Sequence, residues 1–241
     1  MPETLEDAIR ARLETVNERI EAAAARAGRD RSEVQVVAVS KGQSLDAVRA
    51  GYTIGLRWFG ENRVRQGLQK IEALADFEGV AWHMIGHVQS RKAKLVAPGY
   101  DWVHSVDRLK IARYLDQYAQ EAGRKLPVLL ECNVSGEEAK YGFELADREA
   151  WPGWLEQLQP IIKLPNLTIM GLMTMAPWQA AEEVVRQTFR TLYHLRQFLR
   201  EQMPQIEWRH LSMGMTDDYE IAVEEGATIL RVGRAIFGPR S

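Results

Sequence analysis

Eight short runs of β-branched and aromatic residues recur from Gln35 onward, most of them separated by stretches with helical apolar spacing, and this alternation constrains the fold more than any other feature. The runs cover residues 35–40, 57–60, 82–86, 102–105, 127–133, 167–173, 207–212 and 228–233. Strands that alternate with helices build parallel sheets, and eight such units are the number that closes into a (β/α)8 barrel. Several runs, VVAVS and PVLLECNV among them, are apolar almost throughout, as strands covered on both faces must be. An open doubly wound sheet is the alternative architecture. It commonly carries a glycine-rich dinucleotide fingerprint after the first strand, and no G-x-G-x-x-G stands there.

Ahead of the first strand, residues 5–27 place Ile9, Leu13, Val16 and Ile20 on one face of a helix. Helical patterns also span residues 107–122, with Asp107 as the expected side-chain N-cap, and residues 180–203. Pro98-Gly99 and Pro165-Asn166 precede strands, where turns are expected. No Gly/Ser linker or repeat divides the chain, so residues 1–241 read as a single α/β domain.

A net charge of -2 with 27% charged residues gives no basic surface for nucleic acid. The one cysteine, Cys132, excludes an intramolecular disulfide and fits a reducing compartment. The charged N-terminus lacks a signal-peptide pattern and no apolar run is long enough to span a bilayer, so the expectation is a cytoplasmic protein without membrane contact.

Nearly every run ends on its C-terminal side in a polar or glycine-containing signature: Ser40-Lys41, Gly60-Glu61-Asn62, Gly86-His87, Ser105-Val106-Asp107, Asn133-Val134-Ser135, Met173-Thr174, Ser212-Met213-Gly214 and Arg231-Val232-Gly233. In a parallel barrel all eight ends converge on one mouth, where such folds place their sites. Polar, turn-prone βα loops would produce some of these signatures without a ligand.

Lys41 ends the first strand and is either a loop lysine or a nucleophile facing the mouth. Burial favours the neutral amine that condenses with an aldehyde. The last two strands bring Ser212-Met213-Gly214 near Gly233-Arg234, which make either tight turns or an anion cradle of backbone N–H groups. Arg231 shares the side of its strand with Gly233 and needs an acceptor: a heteroaromatic nitrogen, or a carboxylate such as Glu131 or Glu61. His83 and His87 straddle a strand end rather than share a helix face, so a metal site is not expected, and His83 reads as a satisfied barrel residue.

These residues carry a resemblance. VAVSK (37–41), FGEN (59–62), WHMIGHVQSRK (82–92), SVDR (105–108), NVSGEEAKYG (133–142), GLMTMAP (171–177), LSMGMTDDYEIAVEEGAT (211–228) and LRVGRAIFG (230–238) together resemble the pyridoxal phosphate homeostasis proteins, whose barrel is similar to the N-terminal domain of alanine racemase. The match spans essentially the whole chain. It implies a fold-type III (β/α)8 TIM barrel with an extra N-terminal helix, binding pyridoxal 5'-phosphate (PLP) as a Schiff base, an aldimine, on Lys41. It further implies that Ser212 and the Gly233 and Arg234 amides hold the phosphate and Arg231 faces the pyridine nitrogen, with Asn62, Met173 and Met213 around the cofactor. Lys140 matches a family lysine that reads either as a secondary contact or as a loop lysine. Gln43 stands where the family often has a second lysine, and Arg234 where it often has threonine.

The resemblance implies a monomeric carrier in vitamin B6 homeostasis that buffers PLP or delivers it to PLP-dependent apoenzymes, with no catalytic residue assigned. A racemase-like enzyme acting on amino acids is the alternative. A barrel hydrolase or aldolase using Lys41 without a cofactor ranks third.

Overall fold

The fold was analysed in a computed structural model that describes residues 4–239. Nine strands form the sheet: β1 (Gln35–Val39), β2 (Trp58–Glu61), β3 (Ala81–Met84), β4 (Trp102–Val106), β5 (Leu126–Asn133), the two-residue β6 (Phe143–Glu144), β7 (Leu167–Met173), β8 (His210–Ser212) and β9 (Ile229–Val232). The order β4-β3-β2-β1-β9-β8-β7-β5 closes through a β4–β5 pairing, and all of these neighbours run parallel. This is a closed eight-stranded (β/α)8 barrel, and the open-sheet alternative is set aside. Among the described residues, β6 pairs only with the end of β5.

The helices are α1 (Leu5–Arg26), α2 (Leu45–Thr53), α3 (Val64–Ala73), α4 (Ala93–Gly99), α5 (Leu109–Glu121), α6 (Trp151–Ile162), α7 (Glu182–Gln202), α8 (Tyr219–Glu224) and α9 (Arg234–Phe237). α1 starts at a capping box in which Thr4 Oγ1 accepts from Asp7 N at 3.1 Å. It buries Ile9, Val16 and Ile20 as its periodicity predicts, and packs on α2, α8 and α9. Among the described residues, no helix is long and apolar enough to cross a membrane.

Three local expectations are corrected. Asp107 does not cap α5: its carboxylate takes Arg108 Nη1 at 2.7 and 2.6 Å, and the helix begins one residue later without a side-chain cap. Pro98-Gly99 is the last turn of α4 rather than a free turn. β8 starts at His210, not residue 207, because Trp208 adopts a positive φ of 45° while its fully buried indole donates to Met203 O at 3.2 Å. Burying that ring outweighs continuing the strand.

Two apolar clusters hold the molecule. The larger lies between the barrel and its helices. The smaller fills the barrel around Val37, Leu129, Met173 and Ile229, flanked by Trp58 and Trp102. Towards the N-terminal ends of the strands, His83 lies between Trp58 (centroids 4.9 Å) and Trp102 (5.6 Å), and Trp102 meets His210 edge-on at 5.7 Å. This aromatic floor closes the barrel below a polar layer.

Candidate functional site

Parallel register determines which side chains share a level inside the barrel. Glu131 pairs with Met173, Met173 with Ser212, and Arg231 with Val37. Arg231 is inward and buried. Its Nη1 donates to Ser212 Oγ at 2.6 Å and its Nη2 to Thr174 O at 2.8 Å. Burial brings its pKa down to about 10, opposed by the charges of Asp218 and Glu131. The carboxylate alternatives for Arg231 do not form an ion pair with it among the described residues: Glu61 instead takes Lys70 Nζ at 2.7 Å and Ser40 Oγ at 2.7 Å.

A buried chain continues from Ser212. His104 Nδ1 lies 3.0 Å from Ser212 Oγ, and His104 Nε2 lies 2.9 Å from His83 Nδ1. Burial lowers the pKa of both imidazoles, His83 to about 3, so both are neutral near pH 7. His83 Nε2 has no partner among the described residues. An unsatisfied buried N–H is rarer than an unsatisfied acceptor, which favours protons on Nδ1 of both rings. His83 then donates to His104, and His104 to Ser212. With Arg231 also donating to Ser212 Oγ, both lone pairs are filled, and its own O–H is the donor left over.

Glu131 is the second residue without a full set of partners: its Oε2 is buried and unbonded. Burial first, then the charge of Asp107, raises its pKa to about 7 against the opposing pull of Arg231. A carboxyl here exchanges its proton near neutral pH. Sequence reasoning considered Glu131 only as a partner for Arg231, and set His83 aside. The signal was present, because a polar residue inside an apolar barrel strand at inward parity needs a reason.

At the rim, Lys41 is half-buried and follows Ser40 in a turn closed by Gln43 N–H to Ser40 O at 3.0 Å, with Gly42 at φ 73°. The Lys70–Glu61–Ser40 cluster pins the strand end beneath it, since Lys70 Nζ also donates to Ser40 O at 2.5 Å. Asn62 is exposed at the end of β2, while Met173 and Met213 are buried. Met213 belongs to the outer core cluster and Met173 to the barrel interior.

Gly214 has φ 93°, and a Cβ there would stand 2.6 Å from Ala222 Cβ, so only glycine lets β8 turn against α8. Gly233 is the N-cap of the one-turn helix α9. Arg234 is exposed and pairs with Asp217 at 2.6 Å beside a pocket of about 330 Å³ that Trp178 and Met215 also line. Lys140 donates to Ser135 Oγ at 3.1 Å and Met175 O at 3.0 Å and pairs with Glu137. Its three donors are thus occupied in tying two rim loops together. The structure therefore brings Lys41, Arg231, Ser212, Met173, Gly233 and Arg234 to one end of the barrel, with Asn62 exposed on its rim and Met213 packed behind it.

Known proteins share this architecture. A family model described as the N-terminal domain of alanine racemase matches residues 11–241. The pyridoxal phosphate homeostasis protein of Vibrio cholerae is 40% identical over 236 residues, 96% of each chain, and that of Escherichia coli K12 is 38% identical over 95% of each. The chain belongs to the pyridoxal phosphate homeostasis protein family. PipY of Synechococcus elongatus PCC7942, solved with PLP bound, superposes with a TM-score of 0.78 at 35% identity, covering 95% of this chain and 100% of PipY. Alanine racemase of Clostridium difficile 630 matches in fold alone, with a TM-score of 0.71 at 14% identity; this homeostasis-family chain spans 56% of the racemase's length.

Proposed function

We propose that this protein holds PLP covalently through Lys41 at the barrel mouth and serves as a reservoir that buffers the cofactor or passes it to apoenzymes. The observation that carries the reading is the inward Arg231–Ser212 pair, a buried permanent cation bonded to a hydroxyl at the lysine's end of the barrel. The donor set fits the group. Ser212 has an O–H to give, the Gly233 and Arg234 amides stand at a helix start, and an amine stands at the rim. In this reading those donors take the phosphate, Arg231 serves the ring nitrogen, and Asn62, Met173 and Met213 surround the cofactor or back its site. PLP supplies an aldehyde for attachment and an electron-withdrawing ring. A permanent guanidinium at the ring nitrogen keeps that nitrogen unprotonated, which weakens carbanion chemistry and suits holding over turnover.

The test is the visible spectrum of the protein with PLP, compared with Lys41→Ala, followed by borohydride reduction and peptide mapping. A band that disappears in the variant and a label on Lys41 are expected; a label elsewhere refutes the assignment. Glu131 supports a second reading, racemase-like proton exchange, because its carboxyl can hold or release a proton near pH 7. Exchange of amino acid α-protons into deuterated water that Glu131→Gln abolishes would favour that reading.

A further inference from the structure

The face of the barrel opposite the mouth carries a cluster that the reading above does not use. A pocket of about 720 Å³ opens among Arg29, Arg196, Arg200, Arg209 and His210, close to where β1, β8 and β9 begin. Arg196 and Arg200 lie one turn apart on α7, the spacing at which like charges face and repel each other. Arg196 is only 7% exposed. Its Nε is buried with no partner, its Nη1 reaches only the neutral carbonyl of Arg209 at 3.4 Å, and its guanidinium lies 5.2 Å from the Tyr193 ring. Arg200 likewise meets only neutral oxygens, Gln197 Oε1 and Trp208 O, both at 3.4 Å. Among the described residues, neither has a carboxylate within ion-pairing distance.

The carboxylates around the pocket are already matched. Glu33 pairs with Arg29 at 3.2 Å, Glu224 with Arg26 at 2.7 Å, Glu225 with Arg190 at 2.9 Å, and Glu207 with Arg209 at 2.8 Å. Among the described residues, two cations, one of them buried, are left without an ion-pair partner. An uncompensated buried charge is costly, and an anion seated against both guanidiniums removes that cost.

We propose that this face is a second binding site, for a small organic oxyanion bearing two or more negative charges as phosphate or carboxylate, held between Arg196 and Arg200. No lysine lines the pocket, so this ligand is held by charge and hydrogen bonds rather than covalently. The site is independent of the mouth and does not rest on the PLP reading.

His210 reports on the pocket. Its Nδ1 lies 3.2 Å from Thr228 Oγ1, and burial, then Arg209 and Arg196, bring its pKa down to about 4, with Glu207 opposing. The full-length protein, labelled at histidine Cε1 and assigned with His210→Asn, is titrated by NMR with pyrophosphate and separately with citrate at constant ionic strength. A saturable shift of the His210 signal with a rise in its pKa is expected, absent with sodium chloride. Arg200→Gln, at an exposed position, should weaken binding about tenfold, the loss of one charge-assisted contact. Arg196→Met should abolish it. Response to pyrophosphate, to citrate or to both supports the site and names its class. No saturable movement of His210, the same response with chloride, or an unchanged affinity in Arg200→Gln would overturn the proposal.

Discussion

Replacing Glu131 by glutamine should stabilise the protein above neutral pH and leave it unchanged in acid. The carboxyl is 3% exposed, one of its oxygens has no partner, and its pKa is raised from 4.5 to about 7. Because the folded value lies above the unfolded one, the folded state binds the extra proton. The stabilisation from Glu131 is therefore complete below pH 4.5 and lost as pH rises through about 7. A rise of about 2.5 units corresponds to roughly 3 kcal/mol between the two limits, at up to about 1.4 kcal/mol per pH unit. Glutamine keeps the shape and hydrogen-bonding atoms but cannot ionise. Urea unfolding of both proteins from pH 4.5 to 8.5 should show equal stability at the acid end and a gap of about 3 kcal/mol in favour of Glu131→Gln at the alkaline end. A gap that does not vary with pH, or one of opposite sign at pH 8.5, would refute the account of Glu131 as a desolvated carboxyl.

Lys70→Met should cost about 3–5 kcal/mol in the same assay, because it strips the charge partner from Glu61, itself 1% exposed; the double variant with Glu61→Gln should recover most of that loss. Cys132 is buried, and burial with the neighbouring Glu131 holds its thiol in the protonated form, so labelling by a disulfide reagent should run at least about a thousandfold slower in the native protein than in urea. Rapid native labelling would show that the β5 end opens.

How much of this was legible in the sequence differs between architecture and chemistry. All eight barrel strands were readable, because burial on both faces leaves an apolar run that local spacing reveals, as in VVAVS and PVLLECNV. The errors came where a tertiary contact overrode a local preference. Asp107 is a good cap by type, yet Arg108 claims its carboxylate; residues 207–209 suit a strand, yet the Trp208 ring is buried by turning the backbone. The rim residues could be named from position alone, since strand ends converge. Partners could not. That Arg231 would meet Ser212 and Thr174 rather than Glu61 depends on which inward residues share a level, and strand register around a closed barrel is not written in any one segment.

The polar layer also explains how the site's charge depends on pH. Below the rim, Arg231 is the permanent cation, His83 and His104 stay neutral, and Glu131 is the group whose charge changes near neutrality. With Glu131 protonated, one of the two carboxylates that oppose Arg231 is neutral, and the cup is more favourable to an anionic ligand reaching down from the mouth. With Glu131 ionised, its carboxylate competes with that ligand for the field of Arg231. The proton on Glu131 that favours the folded state below pH 7 therefore also favours an anion in the cup.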